Sequence, residues 1–211
     1  MRVLDLSHRI EPDMPMFPGD LPPEFQAVAT VERDGYAARR VGLHSHTGTH
    51  VDAPAHLLME GGTLDEMDPG RFVGSARVVR VPAGKTSAIG LSELQRLAGD
   101  LAGLSFLLLD TGWAGCWGTP GYREGFPCLE PEAARWLAAS GLSGVGVDGP
   151  SFDPVGSEGL PTHRILLEAG KLLVENLAGV DLLPASPFLF VCLPLPLARA
   201  EGAPVRAVAI L

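Results

Sequence analysis

Residues His46 to His56 read H-T-G-T-H-V-D-A-P-A-H, and the way this stretch folds decides which scaffold the chain can build. His46 and His50 are four apart, so a helix would put both on one face, as in H-E-x-x-H zinc sites. Two residues argue against a helix. Gly48 lowers helix stability, and Pro54 pushes Ala53 out of the helical region of φ/ψ space. The stretch is therefore read as a tight turn running into extended chain, where the two-residue period places His50 and Asp52 on the same side.

Three imidazoles and a carboxylate then fall within eleven non-helical residues. A lone histidine is ordinarily a satisfied core or surface residue. Four donors this close point instead to a cation, because imidazole is a common metal ligand and a carboxylate can bridge two ions. Cys116, Cys128 and Cys192 are all remote from the stretch in sequence. His44 fits the pattern less well and is read as a surface or supporting residue.

The same eleven residues resemble the H-x-G-T-H-x-D-x-P-x-H signature of the metal-dependent cyclase family, whose best-known members are bacterial kynurenine formamidases. The resemblance implies that His46, His50 and Asp52 bind metal, that Asp52 bridges two ions, and that His56 is the catalytic acid/base. The family's further ligands are a His and a Glu twelve residues apart, and His163 and Glu175 have that separation in T-H-R-I-L-L-E-A-G-K-L-L-V-E-N-L. P-M-F-P-G-D from Pro15 and V-D-G-P-S-F-D-P around Asp148 also resemble family segments, so the likeness covers nearly the whole chain. Family members often carry Trp where this chain has Phe17, at a position that lines the substrate site. Phe17 keeps the apolar face without the indole donor.

At 211 residues, with no break in composition, the chain is expected to form one domain spanning 1–211. Its net charge of −9 argues against nucleic acid and anionic membrane surfaces, which need a basic patch. A small amide substrate is easier to accommodate. Three cysteines without a C-x-x-C pattern argue for free thiols in a reducing cytoplasm. Asp5, His8, Arg9 and Glu11 precede any long apolar run, which is unlike a signal peptide. The most apolar tract, from Pro187 to Ala198, is broken by Pro194 and Pro196 and is shorter than the roughly 20 residues of a spanning helix.

Along the chain, Met1 to Leu6, Tyr36 to His44, Ser75 to Val81, Phe106 to Leu109, Val145 to Val147, Leu172 to Leu177, Phe188 to Leu193 and Pro204 to Leu211 read as strands. The Pro-rich stretch from Pro12 to Pro23 reads as a semi-rigid arm whose Met14, Met16 and Phe17 cap the core or wall a pocket. Leu57 to Met67 reads as a loop able to reach over the site. Ser92-Glu93-Leu94-Gln95 has the form of a capping box opening a helix that runs to about Gly99. Pro131 and Gly141 frame a second helix, and Thr162 to Ala169, closed by Gly170, a third. His163 falls in the first turn of that third helix, where the dipole favours a neutral imidazole. Leu173, Glu175 and Leu177 are expected on one strand face. Gly144, Gly146 and Gly149 spell G-x-G-x-x-G, but Pro150 follows directly and no helix opens there to receive a pyrophosphate.

The sum is an α/β domain with a mixed sheet, partly barrel-like, and a few short helices. The resemblance implies the family's swivelling β/β/α-type fold. It also implies two divalent cations, Zn²⁺ ahead of Mn²⁺, a metal-activated water, and hydrolysis of an aryl formamide by a homodimer or larger assembly. Competing readings are an isatin-like lactam hydrolase and a catalytically silent metal- or small-molecule-binding protein. A serine or cysteine hydrolase lacks support, since no G-x-S-x-G is present. A structural zinc site would be richer in cysteine.

Overall fold

The computed structural model describes residues 1–81 and 88–211. Its strands are β1 (Val3–Asp5), β2 (Glu24–Ala29), β3 (Ala38–Gly42), β4 (His50–Asp52), β5 (Val73–Arg80), β6 (Ala88–Ile89), β7 (Phe106–Asp110), β8 (Cys128–Leu129), β9 (Gly144–Val147), β10 (Leu172–Glu175), β11 (Phe188–Val191), β12 (Gly202–Pro204) and β13 (Val208–Ile210). The helices are α1 (Val31–Asp34), α2 (Leu91–Ala98), α3 (Pro131–Ala138) and α4 (Pro161–Glu168). Nine strands form one sheet in the order β1-β13-β11-β5-β7-β9-β10-β4-β12.

The centre of this sheet is parallel, from β5 through β7 and β9 to β10, and each step carries one helix in its crossover. A parallel pair needs such a crossover, whereas the antiparallel flanks do not. Alternate residues of the central strands feed two cores. Leu107, Leu109, Val145 and Leu173 pack on the helix side with Leu94, Leu137 and Leu166. Phe106, Leu108, Leu172 and Val174 face the opposite side, with Phe188 and Phe190. Every residue of β7 is buried, as expected for a strand covered on both faces.

The sheet curls until its flanks approach each other. Just beyond β1, Ser7 bridges to Leu177, just beyond β10. The expected single strand from Pro204 to Leu211 is in fact two: β12 pairs with β4 at one edge, while β13 lies between β1 and β11 near the other. Residues Val205 to Ala207 make the crossing, with Val205 N–H donating to Thr49 O and Leu6 N–H to Ala207 O. This closure makes the single mixed α/β domain partly barrel-like.

Other expectations shift locally. Helix α2 is capped by Gly90, without a side-chain hydrogen bond, so Ser92 sits inside the first turn and the capping-box reading fails. The loop after His56 folds back on itself, Ala55 N–H donating to Gly62 O, and does not cover the site. The G-x-G-x-x-G glycines serve packing: a Cβ at Gly146 would stand 2.6 Å from Leu108 Cδ2 and 2.7 Å from Leu177 Cδ1.

Candidate active site

The turn from His44 to Gly48 delivers the chain into β4, where it is held on both sides. His50 lies opposite Glu175 of β10 and Pro204 of β12, and Asp52 lies opposite Leu173 and Gly202. Directly opposed residues project to the same face, so the ladder itself brings Glu175 to His50. Pro54 then starts a single 3₁₀ turn that ends on His56. His163 arrives from the first turn of α4.

These elements bring His46, His50, Asp52, His163 and Glu175 to one place. His46 Nδ1 is 2.7 Å from Asp52 Oδ1, and His50 Nε2 is 3.4 Å from both Asp52 Oδ1 and Glu175 Oε2. On the other side, His163 Nε2 is 3.0 Å from Glu175 Oε1 and 3.9 Å from Asp52 Oδ2. Two donor groups result, His46–His50–Asp52 and Asp52–His163–Glu175, each with ligand atoms within 4.8 Å of one another and with Asp52 in common.

The unsatisfied atoms test whether such a set suits a cation. His46 Nε2, His50 Nε2 and both oxygens of Asp52 are buried without a hydrogen-bond partner among the described residues. Buried polar atoms are rarely left unpaired, because losing water without replacement costs free energy. Here the orphaned atoms are a cluster of nitrogen and carboxylate oxygen, a donor set that divalent cations accept. The residues fit a metal.

The next layer fixes how these donors point. His50 Nδ1 lies 2.8 Å from Gly48 O, and a carbonyl only accepts, so Nδ1 is committed as a donor and Nε2 is the nitrogen turned toward Asp52 and Glu175. His163 Nδ1 lies 2.7 Å from Asp153 Oδ2, which turns its Nε2 inward. Asp153 also accepts the main-chain N–H groups of Thr162 and His163, capping α4 from outside the helix. Burial would raise the Asp153 carboxyl, but its hydrogen bonds from His163 outweigh that and hold it below the ordinary carboxylate range.

With no cation present, two of the imidazoles, His50 and His163, are strongly basic. Burial alone would lower His50, yet Asp52 and Glu175 hold it up at about 9. Burial opposes His163 likewise, and the carboxylates of Asp153 and Glu175 hold it up at about 10. This overturns the expectation from the helix dipole: a partial charge at the helix end is outweighed by full carboxylate charges in direct contact. His56 behaves in the opposite way. Burial and the neighbouring His46 and His163 rings hold it below its ordinary value, and its ring makes no hydrogen bond among the described residues. It lies beside His46, ring centroids 4.3 Å apart, facing the cleft.

That cleft, of about 220 Å³, has the scale of a small molecule rather than a polymer chain. Its walls include Met16, Phe17, Pro150 and Leu160, with Asp20 and Arg123 as further charged groups. Phe17 is 39% exposed while Met14 and Met16 are buried, so the Pro-rich arm both caps the core and walls the pocket. His44 is a surface residue, 3.3 Å from Asp20.

Several contributors escape a reading of the sequence. Asp153 belongs to the V-D-G-P-S-F-D-P segment, where Asp148 draws the eye. Asp148 instead accepts Thr111 N–H, Thr111 Oγ–H and Ala114 N–H, tying down the loop after β7. Glu201 accepts Ser45 Oγ–H and lies 3.5 Å from His46 Nε2, brought there only by the pairing of β12 with β4. Leu177 does not share a face with Glu175. Asn176 between them has φ of 55°, which breaks the strand period and sends Leu177 into the opposite core.

Known proteins agree with this architecture. The chain is 35% identical over 206 residues to the kynurenine formamidase of Geobacillus thermodenitrificans (strain NG80-2), covering 97% of this chain and 95% of that one. Isatin hydrolase A from Labrenzia aggregata superposes with a TM-score of 0.87 at 25% identity, covering 99% of this chain and 93% of the other. A structure described as a potential metal-dependent hydrolase with cyclase activity superposes with a TM-score of 0.81 at 27% identity, covering 99% and 96%. The model of the putative cyclase family matches residues 4–154, and with the full-length relatives it shows that the chain belongs to this family of metal-dependent hydrolases.

Proposed function

We propose that the chain, acting as one hydrolase domain over residues 1–211, hydrolyses N-formylkynurenine to kynurenine and formate. The observation that carries this reading is the pair of donor groups sharing Asp52 beneath an apolar cleft. It is supported by the relatives called kynurenine formamidase at 32–35% identity. His46, His50, Asp52, His163 and Glu175 would hold two divalent cations with Asp52 between them. Their nitrogen and oxygen donors accept both Zn²⁺ and Mn²⁺, with Zn²⁺ favoured by the three imidazoles. Cations bound there would acidify water and polarise an amide carbonyl.

The remaining work belongs to side chains. His56, neutral at neutral pH and without a hydrogen bond among the described residues, takes a proton from the attacking water and returns it to the leaving nitrogen. The C–O bond to water forms, the C–N bond breaks, and the aryl amine departs carrying that proton. Phe17 offers its ring face to the aromatic part of the substrate. Arg123 makes no hydrogen bond or ion pair among the described residues, and a guanidinium free at the cleft suits a carboxylate on the substrate's side arm.

The same chemistry would open a lactam such as isatin, a reading favoured by the likeness to isatin hydrolase A. Arg123 favours the carboxylate-bearing formamide. The active form is assigned as a homodimer or larger assembly, supported by exposed Val28, Tyr36 and Val41 around the β2–β3 hairpin. Unpaired thiols at Cys116, Cys128 and Cys192 suit the cytoplasm. The test is hydrolysis of N-formylkynurenine by Zn²⁺- or Mn²⁺-loaded protein against an EDTA-treated control. A metal-dependent kcat/KM above roughly 10⁴ M⁻¹s⁻¹ supports the assignment. Metal binding without turnover of this substrate or of isatin would return the chain to the silent binding protein.

A further inference from the structure

Asn176 directly follows Glu175, the last residue of β10. It is buried in a left-handed conformation, φ 55°, which favours Asn and Gly over other residue types. All its polar groups are engaged. Its N–H donates to Gly149 O, and its carbonyl accepts Thr49 Oγ–H at 2.5 Å. Tyr122 Oη donates to its Oδ1 at 2.7 Å. Its Nδ2 donates to Gly48 O at 2.9 Å, and because a carbonyl only accepts, this contact fixes which end of the amide is nitrogen. The same carbonyl receives His50 Nδ1 at 2.8 Å.

Gly48 itself sits in a left-handed turn, φ 64°, between two histidines. Its carbonyl could swing with that turn unless something held it. The order of donation is fixed from the Gly48 end: its carbonyl only accepts, so Asn176 Nδ2 must face it and Oδ1 is left to accept from Tyr122 Oη. From Tyr122 to Asn176 to Gly48 the direction of every hydrogen bond is set, and at the end His50 must place its proton on Nδ1.

We infer that Asn176 is a positioning residue for the metal centre: with Tyr122 behind it, its amide pins the Gly48 carbonyl that engages His50 Nδ1 and so leaves Nε2 as the ligand atom. This rests on the metal-hydrolase reading, and it adds to that reading a relay running from the wall of the cleft, through main chain, to one imidazole. Asn176 borders the cleft, but its polar groups are spent on Gly149, Thr49, Tyr122 and Gly48. It acts through Gly48 and His50.

The test substitutes Asn176→Gly, which keeps the left-handed backbone while deleting the amide, and Tyr122→Phe, which removes the hydroxyl that donates to it, together with a longer 3.5 Å bond to Asp148 O. Zn²⁺ affinity is measured by competition with a chromophoric chelator. In parallel, ¹⁵N spectra of the Zn²⁺-loaded proteins report which His50 nitrogen binds and how fast the Nδ1 proton exchanges. Loss of a supporting hydrogen bond of this kind commonly weakens metal binding by about 10–100-fold. Asn176→Gly is expected to fall in that range and to expose the His50 Nδ1 proton to exchange. Tyr122→Phe should shift both in the same direction by less. Wild-type affinity together with a protected Nδ1 proton in Asn176→Gly would overturn the inference while leaving the hydrolase reading intact. Failure of the wild-type protein to bind Zn²⁺ would sink the reading itself. Should Asn176→Gly fail to fold, unchanged affinity and exchange in Tyr122→Phe would overturn the relay.

Discussion

Gly202 lies directly against the ring of His46: a Cβ there would stand 2.7 Å from His46 Cε1 and 3.0 Å from Nε2. No real Cβ tolerates such contacts with a ring, and the ring's Nδ1 is already held 2.7 Å from Asp52 Oδ1. Gly202 also pairs with Asp52 in the β12–β4 register, so the backbone cannot retreat without opening that edge. Gly202→Ala is therefore expected to displace His46 while β4, paired on its other side with β10, stays in place. A displacement of about 1 Å within a catalytic constellation can lower turnover about 10²-fold. The check is kcat/KM beside far-UV circular dichroism, with activity falling and the spectrum unchanged.

His56 is separable from the metal donors by its environment. Its ring lacks hydrogen-bond partners among the described residues, and burial holds its pKa below the ordinary histidine value. His56→Ala should keep its metal and lose turnover by about 10²- to 10⁴-fold, the usual size of general acid/base catalysis. Retained metal is read by elemental analysis of the dialysed variant. Full activity would remove His56 from the mechanism.

How much of this was visible in the chain depends on distance along it. The H-T-G-T-H-V-D-A-P-A-H stretch declared its own geometry because Gly48, Pro54 and the two-residue period act locally. His163 and Glu175 were reachable only through family resemblance, since periodicity gave no reason to join them to His50. Glu201 and Gly202 were invisible because their roles arise from strand pairing across more than a hundred residues of chain, and Asp153, only ten residues from His163, because the docking of α4 that joins them leaves no local pattern. The error at Leu177 has a single cause. One left-handed residue, Asn176, inverts the face on which everything after it lies, and propensity does not announce it.

The metal-free site holds protons that a cation must displace. His50 is held at about 9 and His163 at about 10, so both are charged at neutral pH. Because these pKa values are raised, cation binding near pH 7 competes with two protons, and apparent affinity rises with pH until about 10. Titration calorimetry in buffers of different ionisation enthalpy should detect release of about two protons at pH 7. A pH-independent affinity would contradict the assignment of these imidazoles as ligands.

His8 supplies a pH dependence of stability unconnected with metal. Its ring stacks on Trp117, centroids 3.8 Å apart, and its buried Nε2 has no partner among the described residues. Burial lowers its pKa to about 4. The unfolded chain takes up this proton below about pH 6.5, while the folded protein resists until about 4. Stability from this residue is therefore full above 6.5 and is lost as pH falls through that window. In His8→Phe, which retains the stack, urea denaturation should show a shallower decline than wild type between pH 6.5 and 4. Parallel declines would show that His8 titrates freely.

Arg123 offers the sharpest division between substrates. It stands in the 3₁₀ turn Pro120–Arg123, one residue beyond the Tyr122 that anchors Asn176, so the guanidinium springs from a fixed point at the cleft. A charged hydrogen bond to a substrate carboxylate is worth enough to alter binding about tenfold, which corresponds to about 1.4 kcal/mol. Arg123→Ala should raise KM for N-formylkynurenine by about that factor and leave kcat nearly unchanged, since the contact is equal in ground and transition states. Formanilide, which has the aryl formamide without the amino-acid arm, should be hydrolysed equally well by both proteins. Isatin, which carries no carboxylate, should likewise ignore the substitution. A rise in KM for all three substrates would mean that Arg123 shapes the cleft rather than binding the arm.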